Sequence, residues 1–158
     1  QLDRFLFKLH VEFPTSEDLH AILERTTGWS EPPVSAVMDR AKLMQLRQLS
    51  GDVAVTAHVR DYAIRLVLAT HPDKPGAPEV VKRYVRIGAS PRGAQALILA
   101  GRVRAIFDGR SAVSTKDIKG VALAALRHRI IRNFEGEAEN VSTDRILGDV
   151  LKAVSEAP

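Results

Sequence analysis

The chain has 158 residues, 45% hydrophobic and 27% charged, a globular composition that excludes a disordered tract; no apolar run approaches the roughly 20 residues of a membrane span. It has no cysteine, which excludes a disulfide framework, a thiol nucleophile and cysteine zinc sites, and suits a reducing, cytoplasmic setting. The net charge is only +4, but Lys82 to Arg132 holds 12 Lys or Arg against two acids, Asp108 and Asp117, a local +10 that is either a set of solvated helix faces or a surface for an anion, nucleotide phosphate or nucleic acid.

Amphipathic sequence begins at once after Gln1, which is not Met, so the chain reads as an excerpt of a longer polypeptide. Phe7, Leu9, Val11 and Phe13 alternate with Lys8, His10 and Glu12, a period of two that predicts a strand within Phe5 to Phe13. A lone strand has to find its partners elsewhere. Pro14 ends it. Thr15 and Asp18 form a candidate capping box, followed by Leu19, Ile22, Leu23 and Thr26 at helical spacing and a stop at Gly28. Trp29 to Pro33 reads as a linker, and a second helix is expected from about Val37 to Leu49, broken at Gly51. Val53 to Val55 is a candidate short strand, after which Thr56 caps a third helix with Val59, Tyr62, Ala63, Leu66 and Val67 on one face.

His71 to Pro78 carries three prolines and a glycine and reads as an exposed loop, with a short element around Val80 to Val85 after it. Ser90 suits an N-cap and Pro91 the first helical position; that helix continues through Ala94, Leu97, Ile98, Val103, Ala105 and Ile106 to a stop near Gly109. Ser114 and Asp117 open another helix, expected to end near Ile131. Glu135 to Asn140 reads as a polar, acidic loop. A last helix starts at Ser142 with Ile146, Leu147, Val150, Leu151 and Val154 as its stripe. The expected fold class is all-α, a helical bundle with one N-terminal strand left over.

There is no GxxxxGK[ST] loop to cradle phosphates, no HExxH, no GxSxG and no carboxylate cluster with metal spacing, and the five histidines sit on separate elements. Neither a metal site nor catalysis by this chain alone is expected. Two arginines stand out. Arg92 falls in the first turn of its helix, where the dipole disfavours a cation by a few tenths of a kcal/mol, up to about 1. A bound phosphate would offset that, since helix amides and a guanidinium can hold one anion together; the plainer alternative is an exposed Arg bent back to a carboxylate. Arg4 lies between hydrophobes, and its plainer alternative is an ion pair with Asp3 or a neighbour.

QLDRFLFKLHVEFP resembles the segment that closes the nucleotide-binding core of MoxR-family AAA+ ATPases, and IGASPRGAQALILAGRVRAIFDGRSAVSTKDI resembles that family's second-sensor region; LRHRI, Leu126 to Ile130, is similar to its ending. The resemblance implies that residues 1–13 end the AAA+ core and that 14–158 form the helical lid. It implies an arginine-finger role for Arg4, reaching the γ-phosphate on a neighbouring subunit, and a sensor-2 role for Arg92 on its own subunit's ATP, with Ser90, Pro91, Arg92 and Gly93 at the phosphate end. ATP and Mg2+ are then implied for the full-length parent and none for the chain alone. So are a homo-oligomeric ring, typically a hexamer, a von Willebrand A domain partner, and chaperone-like remodelling or metal-cofactor insertion. Two departures are Phe13 where the family usually has Tyr, and Ala69-Thr70-His71-Pro72 where it often has Thr-Arg, so no role is transferred from that arginine. A basic helical nucleic-acid-binding module and a purely structural adaptor bundle are the competing readings.

Overall fold

A computed structural model describes residues 1–28 and 33–157. One 3-10 turn, Leu2–Arg4, precedes α1 (Ser16–Thr26), α2 (Arg40–Asp52), α3 (Ala57–Leu68), α4 (Glu79–Tyr84), β1 (Val85–Ile87), α5 (Pro91–Phe107), α6 (Thr115–Leu126), β2 (Ile131–Arg132), α7 (Phe134–Ala138) and α8 (Thr143–Ala153). The fold is the expected helical bundle. Trp29 to Pro32, most of the expected linker, lie outside the described residues.

The helix starts follow local capping chemistry. Thr15 and Asp18 exchange side-chain-to-backbone hydrogen bonds at α1, and Ser114 and Asp117 do the same at α6. Thr56, Ser90 and Ser142 accept from the first-turn amides of α3, α5 and α8. At the end of α5, Gly109 takes φ 67°, its N–H donates to the Ile106 carbonyl at 2.9 Å, and the Arg110 N–H reaches back to Ala105 at 2.8 Å. That left-handed turn closes two open carbonyls and needs the missing Cβ.

α5 and α6 form the centre, with α3 and α8 against them and α4 against α7 and α8. Tyr62, Leu66, Leu97, Ile118, Ile146 and Leu147 are fully buried. Among the described residues none before Val53 is buried, so the core is built entirely by the segment from Val53 to Val150. α2 lies along the C-terminal half of α5, where Leu46 and Leu49 line a groove with Val103 and Ile106.

Several boundaries differ from the sequence-based expectation. Residues 5–13 form no ladder; Phe7 to Phe13 run without regular structure, tied down by the Lys8 N–H on the Ala124 carbonyl at 2.9 Å. Alternation gives a segment its shape, but a strand needs a partner edge, and no described residue supplies one. The sheet lies elsewhere: β1 pairs antiparallel with β2. That pairing takes Ile131 out of α6, which ends at Leu126. Ala54 makes only an isolated parallel bridge to Ala112. The expected Glu135–Asn140 loop contains most of α7, because Asn133 caps the turn by accepting from Gly136 at 2.9 Å.

Candidate functional site

α5 opens where the sequence places it. Ser90 Oγ accepts the Arg92 N–H at 3.2 Å, and Pro91 occupies the first turn, where its lost N–H costs nothing. The loop before it is held from behind. Thr70, fully buried, donates through Oγ1 to the Val67 carbonyl at 2.6 Å and accepts the Ala89 N–H at 2.9 Å. His71 Nε2 donates to the Ala89 carbonyl at 2.9 Å. Gly88 is required there, since a Cβ would sit 2.7 Å from the His71 ring and the Thr70 carbonyl. Thr70 and His71 belong to the stretch that departs from the family pattern, and the structure gives them a supporting task.

The anion at the mouth of α5 is Asp3. Ser90 Oγ lies 2.8 and 2.9 Å from its two carboxylate oxygens, and Arg92 Nη1 donates to Oδ2 at 3.1 Å. Arg129 Nε approaches Oδ1 at 3.3 Å. Partial burial opposes ionisation of Asp3, but the Ser90 and Arg92 hydrogen bonds and the Arg129 charge outweigh it and hold the carboxyl below its ordinary range. This offsets the first-turn cation with a carboxylate, the outcome that the exposed-arginine alternative describes. Arg92 keeps more than half of its side chain exposed. Arg4 follows Asp3 in the 3-10 turn that packs on α5; it is exposed and makes no side-chain hydrogen bond or ion pair with any described residue. Its expected alternative partner, Asp3, is engaged by Arg92 and Arg129. Ser90, Arg92 and the Arg4 segment therefore come together at one end of α5. Gly93 sits just behind, where a Cβ would meet Leu126 Cδ2 at 2.9 Å, so its absent side chain is what lets α5 approach the end of α6.

Arg129 is the site residue that sequence reasoning passed over. It is 6% exposed and lies just past α6. Its guanidinium donates to the carbonyls of Asp3 at 3.0 Å, Phe5 at 2.6 Å and Leu6 at 3.2 Å, and to Ala125. Burial pulls its pKa down and Asp3 counters that. His128 Nε2 donates to the Phe5 carbonyl at 2.9 Å, and burial lowers its pKa as well. Nothing local marks Arg129 as a site residue, because its partners on residues 3–6 lie more than 120 residues away; the only signal was its place in LRHRI. The described residues contain no group of three or more His, Asp or Glu able to hold a metal ion.

The basic zone from Lys82 to Arg132 is largely paired in the fold. Arg83 meets Glu135 and Glu139, Arg127 meets Asp144, Lys119 meets Glu156, and Arg110 meets Asp108 and Asp117. Most of these acids come from outside the zone, so much of the charge concentrated along the sequence is paired in the fold.

The AAA lid domain family matches residues 78–150. Chaperone MoxR1 of Mycobacterium tuberculosis is 32% identical over 98% of the chain and 41% of its own length. Protein MoxR of Methylorubrum extorquens is 27% identical over 98% of the chain and 47% of its own. The crystal structure of a protein from Cytophaga hutchinsonii described as a candidate ATPase superposes with a TM-score of 0.87 at 31% identity, covering 98% of this chain and 47% of that one. The chain thus spans a little under half the length of these relatives.

Proposed function

Because the chain belongs to the MoxR-type AAA lid domains, we propose that its Arg4 and Arg92 act as one anion-reaching pair on the γ-phosphate of ATP, in an AAA+ hydrolase that carries this lid beside a nucleotide-binding core. The observation that carries the reading is the mouth of α5. The capped helix start and an exposed Arg92 share the Asp3 carboxylate there, and the exposed Arg4 is the next residue in the turn. Guanidinium groups in that position neutralise charge on the transferred phosphoryl, and a trans-acting arginine can raise the rate by about 10³ or more. ATP and Mg2+ would be held by the core. The coupled work is chaperone-like remodelling of client complexes, including metal-cofactor insertion, in a homo-oligomeric ring, with a von Willebrand A domain protein as partner and the cytoplasm as setting.

The contact between the 3-10 turn and α5 bears on whose nucleotide Arg92 meets. Asp3 binds Arg92 directly and is the immediate neighbour of Arg4. Through Asp3, Arg92 is tied to the turn that carries Arg4. If Arg4 serves the neighbouring subunit, Arg92 does so as well, in place of the same-subunit role that the resemblance implies.

Two measurements on the AAA+ protein test this. Arg92→Ala is expected to lower ATP turnover by at least about tenfold; wild-type turnover would sink the assignment. Mixing Arg92→Ala subunits with subunits defective in the phosphate-binding loop separates the two placements. Recovered turnover indicates action across the interface, and none indicates action within one subunit.

A further inference from the structure

We propose that Arg129 is a positioning residue for Arg4: its buried guanidinium holds the backbone on both sides of Arg4 so that the Arg4 side chain projects free and at a fixed spacing from Arg92. The proposal rests on the reading of Arg4 given above. Three of the carbonyls that Arg129 binds, those of Asp3, Phe5 and Leu6, flank Arg4 in sequence, and its Nε faces the Asp3 carboxylate. The Arg129 side chain is only 2% exposed, whereas Arg4 is exposed. The grip continues on either side. His128 binds the Phe5 carbonyl, Arg127 Nη1 donates to the Lys8 carbonyl at 3.1 Å, and the Lys8 N–H donates to Ala124.

A planar fork that binds several carbonyls at once fixes a segment's path with little freedom lost at the projecting side chain. Lysine keeps the charge but not the fork. Orientation of a reacting group is worth large factors in rate, and small misplacements lose them. Arg129 touches no substrate under this assignment. It acts through the position of Arg4.

The test compares Arg129→Lys, Arg4→Ala and the double variant in the AAA+ protein. Arg129→Lys is expected to lower kcat about tenfold with KM for ATP held within about twofold. In the Arg4→Ala background the same change is expected to add nothing, because the group being positioned is gone. Amide exchange of residues 4–8 in the present chain is expected to quicken by at least about tenfold while α5 and α6 keep their protection. Should Arg129→Lys fail to fold, His128→Ala loosens the same segment at the Phe5 carbonyl and is held to the same non-additivity. A loss from Arg129→Lys that multiplies fully with that of Arg4→Ala would mean a merely structural residue and overturn the proposal. So would wild-type kcat in Arg129→Lys beside a slow Arg4→Ala, which leaves the reading of Arg4 standing. Wild-type kcat in Arg4→Ala overturns both.

Discussion

Asp117 is 1% exposed yet carries a charge, and its neighbours account for that. Desolvation pushes its pKa up, but the bidentate Arg110 at 2.8 and 2.7 Å and the Ser114 N–H and hydroxyl win, bringing the carboxyl down to about 2. A folded-state value below the ordinary 3.8 means the stabilisation is present above about pH 4 and fades as pH falls toward 2. The shift corresponds to about 2 kcal/mol. Asp117→Asn is expected to lower the melting temperature by roughly 4–8 °C at pH 7. Thermal melts across pH check this: the gap between the two proteins should close by about pH 2, and a gap that does not change with pH would contradict it. Arg110 thus serves stability. At this scale Ser90, Pro91 and Arg92 were readable in the sequence, because capping is chemistry between residues two or three apart. Asp3 and Arg129 were not, because each gains its meaning from a partner on a distant segment.

Around the fully buried Leu97, α5 packs mostly through small residues. Gly93, Ala96, Ala100, Gly101 and Ala105 are buried, while Val103 is 41% exposed. A search for apolar periodicity located the helix, its ends and its buried Leu97 and Ala105, with Ala94, Ile98 and Ile106 packed beside them, but it included the exposed Val103 and passed over Gly93, Ala96, Ala100 and Gly101. A Cβ at Gly101 would meet Ile118 and Val113 at 3.0 Å. Gly101→Val is therefore expected to destabilise by about 2 kcal/mol despite removing a helix glycine, since overpacking outweighs the propensity gain. Urea denaturation checks the sign: a midpoint at or above wild type would show that α6 yields easily. The segment 5–13 teaches the reverse lesson. Its alternation was legible, but whether alternation becomes a strand depends on an edge elsewhere, which no local pattern encodes.

Over the whole molecule, stability is unevenly distributed. α1 has no buried residue, and Leu19, Ile22 and Leu23 on its apolar face are exposed; α2 likewise buries nothing fully. Limited proteolysis is expected to cut first between residues 9 and 52 and to leave a resistant core from about Val53 onward, identified by mass spectrometry. First cuts within α5 or α6 would contradict this. The helical class was legible because most stripes and caps agreed with one another. The pairing of the basic zone was not, since most of the acids that meet it lie outside it in sequence.

The tie between residues 3–8 and 124–129 also carries a temporal consequence. A ribosome delivers the first of these stretches more than a hundred residues before the second. Until Arg129 emerges, the carbonyls around Arg4 have only water to bind, and docking of that stretch must await completion of α6, making it a late event in co-translational folding.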